Sequence, residues 1–221
     1  MTAVRNLALL HGLYVQRKQT FVFYFASTYE CAMPKRAPRP SADRILGAAE
    51  QVFASNGYAD VSLRQLIAAA GVSTTAFYAR FDSKSAVLDT LAERFFAELH
   101  TEASDSLRGV RDVEAGIERG IELLCARLGP RKALVRMILS EVGAHAVRQR
   151  SYALLAAFLA SRLKAFADPE ALAWGIIGAL EIQVTRWAVW DELELPALRT
   201  QLLATARAIM PMPTKKKERA S

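Results

Sequence analysis

A chain of 221 residues and 24.3 kDa that is 52% hydrophobic is long enough to bury a real core, which excludes a disordered or fibrous polymer. Its net charge of +7 favours an anionic partner, either nucleic acid or a membrane surface, without choosing between them. Cys31 and Cys125 make neither a disulfide framework nor a metal-ligand spacing, and His11, His100 and His145 are scattered without acidic or cysteine partners, which argues against a zinc site or a catalytic dyad and for a reducing cytoplasm.

The chain opens on apolar, aromatic blocks, LALL and FVFYFAS, broken by His11, Arg17, Lys18 and Gln19. No uninterrupted run approaches the roughly 20 residues of a spanning helix, and no convincing small-residue cleavage site marks a secretory leader. From Met33 the sequence reads MPKRAPRPSADRIL, a basic, proline-rich arm that runs into a helix start. Residues 1–32 are therefore expected to be an upstream extension with Met33 the true start; the rival reading is a hydrophobic appendage that packs on the body or touches a membrane. Prolines 34, 38 and 40 keep the arm extended. Its Lys35, Arg36 and Arg39 either follow a phosphate backbone or minor groove or belong to a solvated tail.

Ser41 is expected to cap a first helix whose Ile45, Ala49, Val52 and Phe53 form an inward stripe, ended by Asn56-Gly57. Ser62 with Gln65 three residues on is a capping box, and Leu63, Leu66, Ile67 and Ala70 follow on one helical face. Gly71 supplies the left-handed exit, and Ser73 caps a second helix with Phe77 and Phe81 four apart. Two short helices meeting at a sharp glycine turn make a helix-turn-helix, and Thr74, Thr75, Tyr78 and Arg80 are groups that need not enter the core. An ordinary helical hairpin is the plainer alternative. Asp82 or Ser83 caps a long fourth helix carrying Val87, Leu88, Leu91, Phe95 and Leu99 inward, to near Ser104. Lys84 in its first turn is misplaced for the helix dipole, which an anionic partner would relieve.

A second, entirely helical region follows, with helices expected over 111–128, 131–142, 146–167, 169–190 and 196–210. The first carries Val113, Ile117, Ile121, Leu124, Cys125 and Leu128 on one stripe and ends at Gly129-Pro130; Asp168-Pro169-Glu170 is a strong helix start. No strand alternation occurs after Phe81, which argues against a winged form. The helix from Pro169 to Trp190 is the most apolar, with small residues Gly175, Gly178 and Ala179, and is expected to be buried in part by a second copy of the chain.

From Ser41 through Phe96 the chain resembles the DNA-binding domain of the TetR family of bacterial transcriptional regulators, in RILGAAEQVFASNGY, VSLRQLIAAAGVS, TTAFYARF and DSKSAVLDTLAERFF taken in order. The resemblance implies an all-α protein: an N-terminal three-helix helix-turn-helix DNA-binding domain over 41–85, then a helical ligand-binding and dimerisation domain over 86–210. Residues 1–40 are the extension and arm, and 211–221 a basic tail. It also implies a dimer joined by the last two helices. Thr74 and Thr75 stand in the first turn of the recognition helix, where base edges are met, and Arg64 matches a base-contacting position of some relatives. Tyr78 matches the family's phosphate-contacting tyrosine, and Ser62 and Lys84 match further backbone contacts. The chain departs from the family where Thr74 replaces a basic or amide residue, Ala76 a threonine or serine, and Ala79 an aromatic or basic residue; Arg80 is accordingly expected to read bases too.

The expected function is that of a cytoplasmic, ligand-responsive regulator, a repressor, binding a palindromic double-stranded DNA operator as a homodimer, with no cofactor, metal, membrane or catalytic step. Its effector is a small hydrophobic or amphipathic molecule held between Arg111 and Trp190, a span rich in groups such as Met137, Leu139, Phe158, Trp174 and Trp187, none assigned as a contact. The alternative is a non-regulatory helical binding protein or enzyme carrying an incidental hairpin.

Overall fold

The structure, a computed structural model, describes residues 40–141 and 144–210. The expected extension, the start at Met33, the basic arm and the tail lie outside the described residues, as does the Val113 side chain. Among the described residues all regular elements are helical: α1 Pro40–Asn56, α2 Leu63–Ala70, α3 Thr74–Tyr78, α4 Lys84–Ser106, α5 Val113–Leu128, a 3-10 turn Gly129–Arg131, α6 Lys132–Ser140, α7 His145–Arg162, α8 Pro169–Ala188 and α9 Leu195–Ile209.

The first three helices close on themselves. Ile45, Ala49 and Phe53 of α1 are buried against Val61, Leu66, Ala70 and Phe77, while Phe81 joins the cluster beyond α3. Each fully buried side chain of this size contributes about 1.5–3 kcal/mol. Proline is tolerated in the first turn of a helix, so α1 already includes Pro40, and Ser41 is not its N-cap; the Ser41 hydroxyl instead accepts from Arg80 Nε at 3.3 Å. The remaining caps follow their sequence. Ser83, rather than Asp82, accepts from Ala86 N to start α4. Asp112 accepts from Ala115 N, so α5 starts at Val113, the first residue of its apolar stripe and two residues after the expected start at 111. Asp168 accepts from Ala171 N with Pro169 in the first turn of α8. The helix expected over 146–167 stops at Arg162, where the amide of Leu163 closes on Leu159 O and Ala160 O.

α4 runs out of this three-helix head into the body, where it packs on α5, α6 and α7; α8 lies against α6, α7 and α9, and α9 against α5. α6 also touches α1. At this junction Arg131 reaches Glu50 of α1 at 3.3 Å and Glu98 of α4 at 2.9 Å, and Arg94 of α4 pairs with Asp43 of α1 at 2.8 Å. One continuous core runs from α1 through α6 to Trp187, Leu198 and Leu202, and a smaller one (Ala156, Leu163, Ala173, Ile176, Ile177) lies between α7 and α8.

Candidate nucleic-acid interface and ligand cavity

The turn between α2 and α3 is built from short-range devices. The Ser62 hydroxyl accepts from Gln65 N at 3.2 Å while Gln65 Oε1 accepts from Ser62 N at 2.8 Å, a closed capping box. Gly71 sits at φ 60°, ψ 37°, and its amide donates back to Ala68 O and Ile67 O. Arg44 of α1 then donates to Ala70 O at 3.2 Å and Gly71 O at 2.9 Å, clamping the end of α2. A Cβ at Gly71 would meet Arg44 Nη2 at 2.9 Å. Ser73 accepts from Ala76 N and launches α3.

On α3 the inward side is Phe77, fully buried, with its ring 5.9 Å from that of Phe81. Thr74, Thr75 and Arg80 are exposed, and Tyr78 is 51% exposed with its ring edge-on to Phe77. Ser62 and Arg64 are exposed at the start of α2. Each of these candidate base-reading and phosphate-contacting residues is thus exposed, Arg80 with its Nε on the Ser41 hydroxyl, and Lys84 is the exception. Its ammonium is turned inward, donating to Tyr58 O at 2.6 Å, Val61 O at 2.8 Å and Ala59 O at 3.4 Å, and lies 4.3 Å from the centroid of the Tyr58 ring. The loop carbonyls supply the negative partner that this first-turn lysine requires. Sequence reasoning missed this clamp and that of Arg44, because backbone acceptors in a distant loop leave no mark in the sequence.

The body holds a cavity of about 750 Å³ that opens to solvent, between α4, α5, α6, α7 and α8, with the end of α9 at one side. Phe158 and Leu139, singled out in the sequence, line it; Met137 and Trp187 are packed into the core, and Trp174 is 42% exposed on the outer side of α8. Burial pushes the Tyr152 hydroxyl in the wall well above the usual phenol range; nearby Glu181 raises it further and accepts its hydrogen bond. The outer stripe of α8 also includes Gly175, Gly178 and Ile182, and a Cβ at either glycine would meet no atom within 4 Å.

Residues 45–91 match the family described as bacterial regulatory proteins, tetR family. The HTH-type transcriptional regulator EthR of Mycolicibacterium smegmatis is 30% identical over 107 residues, covering 46% of this chain and 49% of the relative. EthR of Mycobacterium tuberculosis strain H37Rv is 33% identical over 112 residues, 46% and 50% of the two chains. The chain thus spans about half the length of the curated relatives it matches. In fold it is similar to the fatty acid degradation regulator FadR from Bacillus halodurans, with a TM-score of 0.65 at 21% identity over 79% of this chain and 96% of that one. It is likewise similar to regulatory protein TetR from Rhodobacter sphaeroides, with a TM-score of 0.60 at 18% identity over 76% and 98%. Residues 45–91 thus carry the domain of the tetR family of bacterial regulatory proteins, and the chain shares its fold with these solved regulators.

Proposed function

We propose that the protein is a homodimeric transcriptional repressor that reads a palindromic operator and is released from it by an effector bound in the body. The observation that carries this reading is the division of labour on and around α3: Phe77 fixes the helix to the core while Thr74, Thr75, Tyr78 and Arg80 stay exposed, as do Ser62 and Arg64 at the start of α2. Thr74, Thr75, Arg80 and Arg64 read base edges in the major groove; Ser62 and Tyr78 hold phosphates. Lys84 contributes positive charge to the head, but a direct phosphate contact requires it to surrender a loop carbonyl.

One head reads one half-site, so a palindrome needs two. The outer face of α8, with Trp174 and Ile182 exposed beside two open glycines, supports pairing through α8 and α9. A Gly178→Leu variant should overpack that seam and shift the protein towards monomer in sedimentation at micromolar concentration; a variant as dimeric as the parent places the interface elsewhere. Val135, Ile138 and Leu139 of α6 line the cavity, and α6 also touches α1. A ligand lodged against α6 therefore acts on the head and shifts the population able to span both half-sites. No step is catalytic.

Genomic fragments selected by the purified protein supply the test. Tyr78→Phe should weaken every fragment alike and leave the salt dependence alone, because no charge is lost. Arg64→Ala or Thr75→Ala should lose about 1–3 kcal/mol on the operator and less on a site altered at the contacted pair. If folded variants at Arg64, Thr75 and Tyr78 all bind like the parent, α3 is not the reading element and the assignment fails.

A further inference from the structure

We infer that the occupant of the body cavity is an amphiphile with a long apolar tail and an oxyanion head, the head held by Arg111 and Arg162. This rests on the reading of that cavity as the effector site and names the chemistry it takes. α4 and α7 run side by side in the same direction, as the ring contact of Phe96 with Tyr152 at 6.0 Å and of His100 with Phe158 at 5.7 Å shows. Their C-terminal ends, Leu107 and Arg162, therefore reach the same end of the cavity, and Arg111 and Asp112 follow Leu107 directly. That end is polar. Beyond it the wall is apolar down to Val135, Ile138 and Leu139, except for Tyr152 and Glu181.

The arginines of the body discriminate between a rim that is merely solvated and one that receives a ligand. Every other described arginine between Lys84 and Met210 donates to a carboxylate or to a backbone carbonyl. Among the described residues Arg111 has no such partner, and Arg162 has only the Phe158 ring, 5.3 Å away. Both line the cavity. The one carboxylate beside them, Asp112, is occupied in capping α5, accepting from Ala115 N at 2.8 Å. Two guanidinium groups without a carboxylate or carbonyl partner at the mouth of an apolar chamber suit a carboxylate or phosphate head, which each can grip through paired donors.

Orientation follows from the inner end. Tyr152 and Glu181 lie about 15 Å deeper than Arg162 along α7, at roughly 1.5 Å per residue. The Tyr152 hydroxyl donates to Glu181, so the acid is satisfied and an alkyl chain passes it without orphaning a polar group. An anionic head would be repelled there, which fixes the head at the arginines and the tail towards α6, the helix that touches the reading head.

The experiment uses the full chain and displacement of the neutral fluorophore N-phenyl-1-naphthylamine by four ligands with the same tail: lauric acid, dodecyl phosphate, 1-dodecanol and dodecyltrimethylammonium. At least one anion should displace the probe at a concentration tenfold or more below the alcohol and the cation, and the comparison of lauric acid with dodecyl phosphate identifies which oxyanion is preferred. Arg111→Ala combined with Arg162→Ala should weaken the preferred anion about tenfold and leave 1-dodecanol unchanged, and the double lysine variant should recover part of the loss. An alcohol or cation that competes as well as the anions, or a double alanine variant that binds them like the parent, overturns the head-group assignment while the cavity reading stands. A parent that does not take up the neutral probe overturns the cavity reading itself, and this assignment with it.

Discussion

Leu66, Phe53 and Phe77 of the reading head are sealed to 1% exposure or less, whereas Leu155, Phe158 and Leu159 of the body stand half-buried around some 750 Å³ of open space. Both regions are helical and both are apolar inside. They differ in what the packing is for. On the proposed function the head must hold side chains at fixed positions; its core is closed, its turn is locked by Arg44 and Gly71, and the loop before α2 is held by Lys84. On the same function the body must leave room for an effector; its helices stand apart around the cavity and are tied at their edges by ion pairs such as Arg127 with Glu102 and Arg199 with Glu122.

That contrast is sharpest in a matched pair of truncations. Leu66→Ala should cost about 3–5 kcal/mol, because a closed core cannot collapse around the gap, while Leu124→Ala in the cavity wall should cost about 2 kcal/mol at the bottom of the same range. Denaturant unfolding of the two variants measures both, and equal losses would erase the distinction. Next in size is Lys84→Met, expected to cost about 2 kcal/mol through the loss of a charged donor to the loop carbonyls. If the ammonium also meets a phosphate, the slope of log affinity against log salt falls by about 0.9 as well; an unchanged slope makes Lys84 a clamp only. Gly71→Ala should cost about 1–2 kcal/mol for the left-handed backbone, before any displacement of Arg44 is counted, and is read as a lowered melting temperature.

The smallest effect expected is at Asp89 on α4, whose Oδ1 is buried without a hydrogen-bond partner. Burial, with help from Glu93, pushes its carboxyl above the ordinary value of 3.8, while Arg150 pulls the other way. The folded state therefore binds this proton more tightly than the unfolded one, so the contribution of Asp89 to stability is greatest below 3.8 and is lost as pH rises through the elevated folded value. Asp89→Asn should flatten the melting temperature across that interval and raise it slightly at neutral pH.

How much of this was legible follows the same division. The capping box at Ser62, the left-handed Gly71 and the cap at Ser73 each span four residues or fewer, so the sequence displays them whole. Ser41 resembles the same kind of cap, but Pro40 can occupy a first turn, and the serine hydroxyl is turned to Arg80 instead. The clamps of Arg44 and Lys84 join side chains to carbonyls more than twenty residues away, and every residue has a carbonyl. Apolar periodicity says that Met137, Leu139, Phe158 and Trp187 point inward, but not which of them face a neighbour and which face a void. That depends on the spacing of several helices at once. Arg111 and Arg162 were hidden for a related reason: what distinguishes them is the pairing of all the other arginines.

The cavity also makes the body the softer half towards hydrostatic pressure. Unfolding eliminates internal voids, so the volume of the system falls in proportion to the empty space that is lost. Trp174, Trp187 and Trp190 all lie on α8 or just beyond it, in the body. Under compression their fluorescence should change while the amide signals of α2 and α3 still report a folded head, and an occupant that fills the chamber should raise the pressure at which the body gives way.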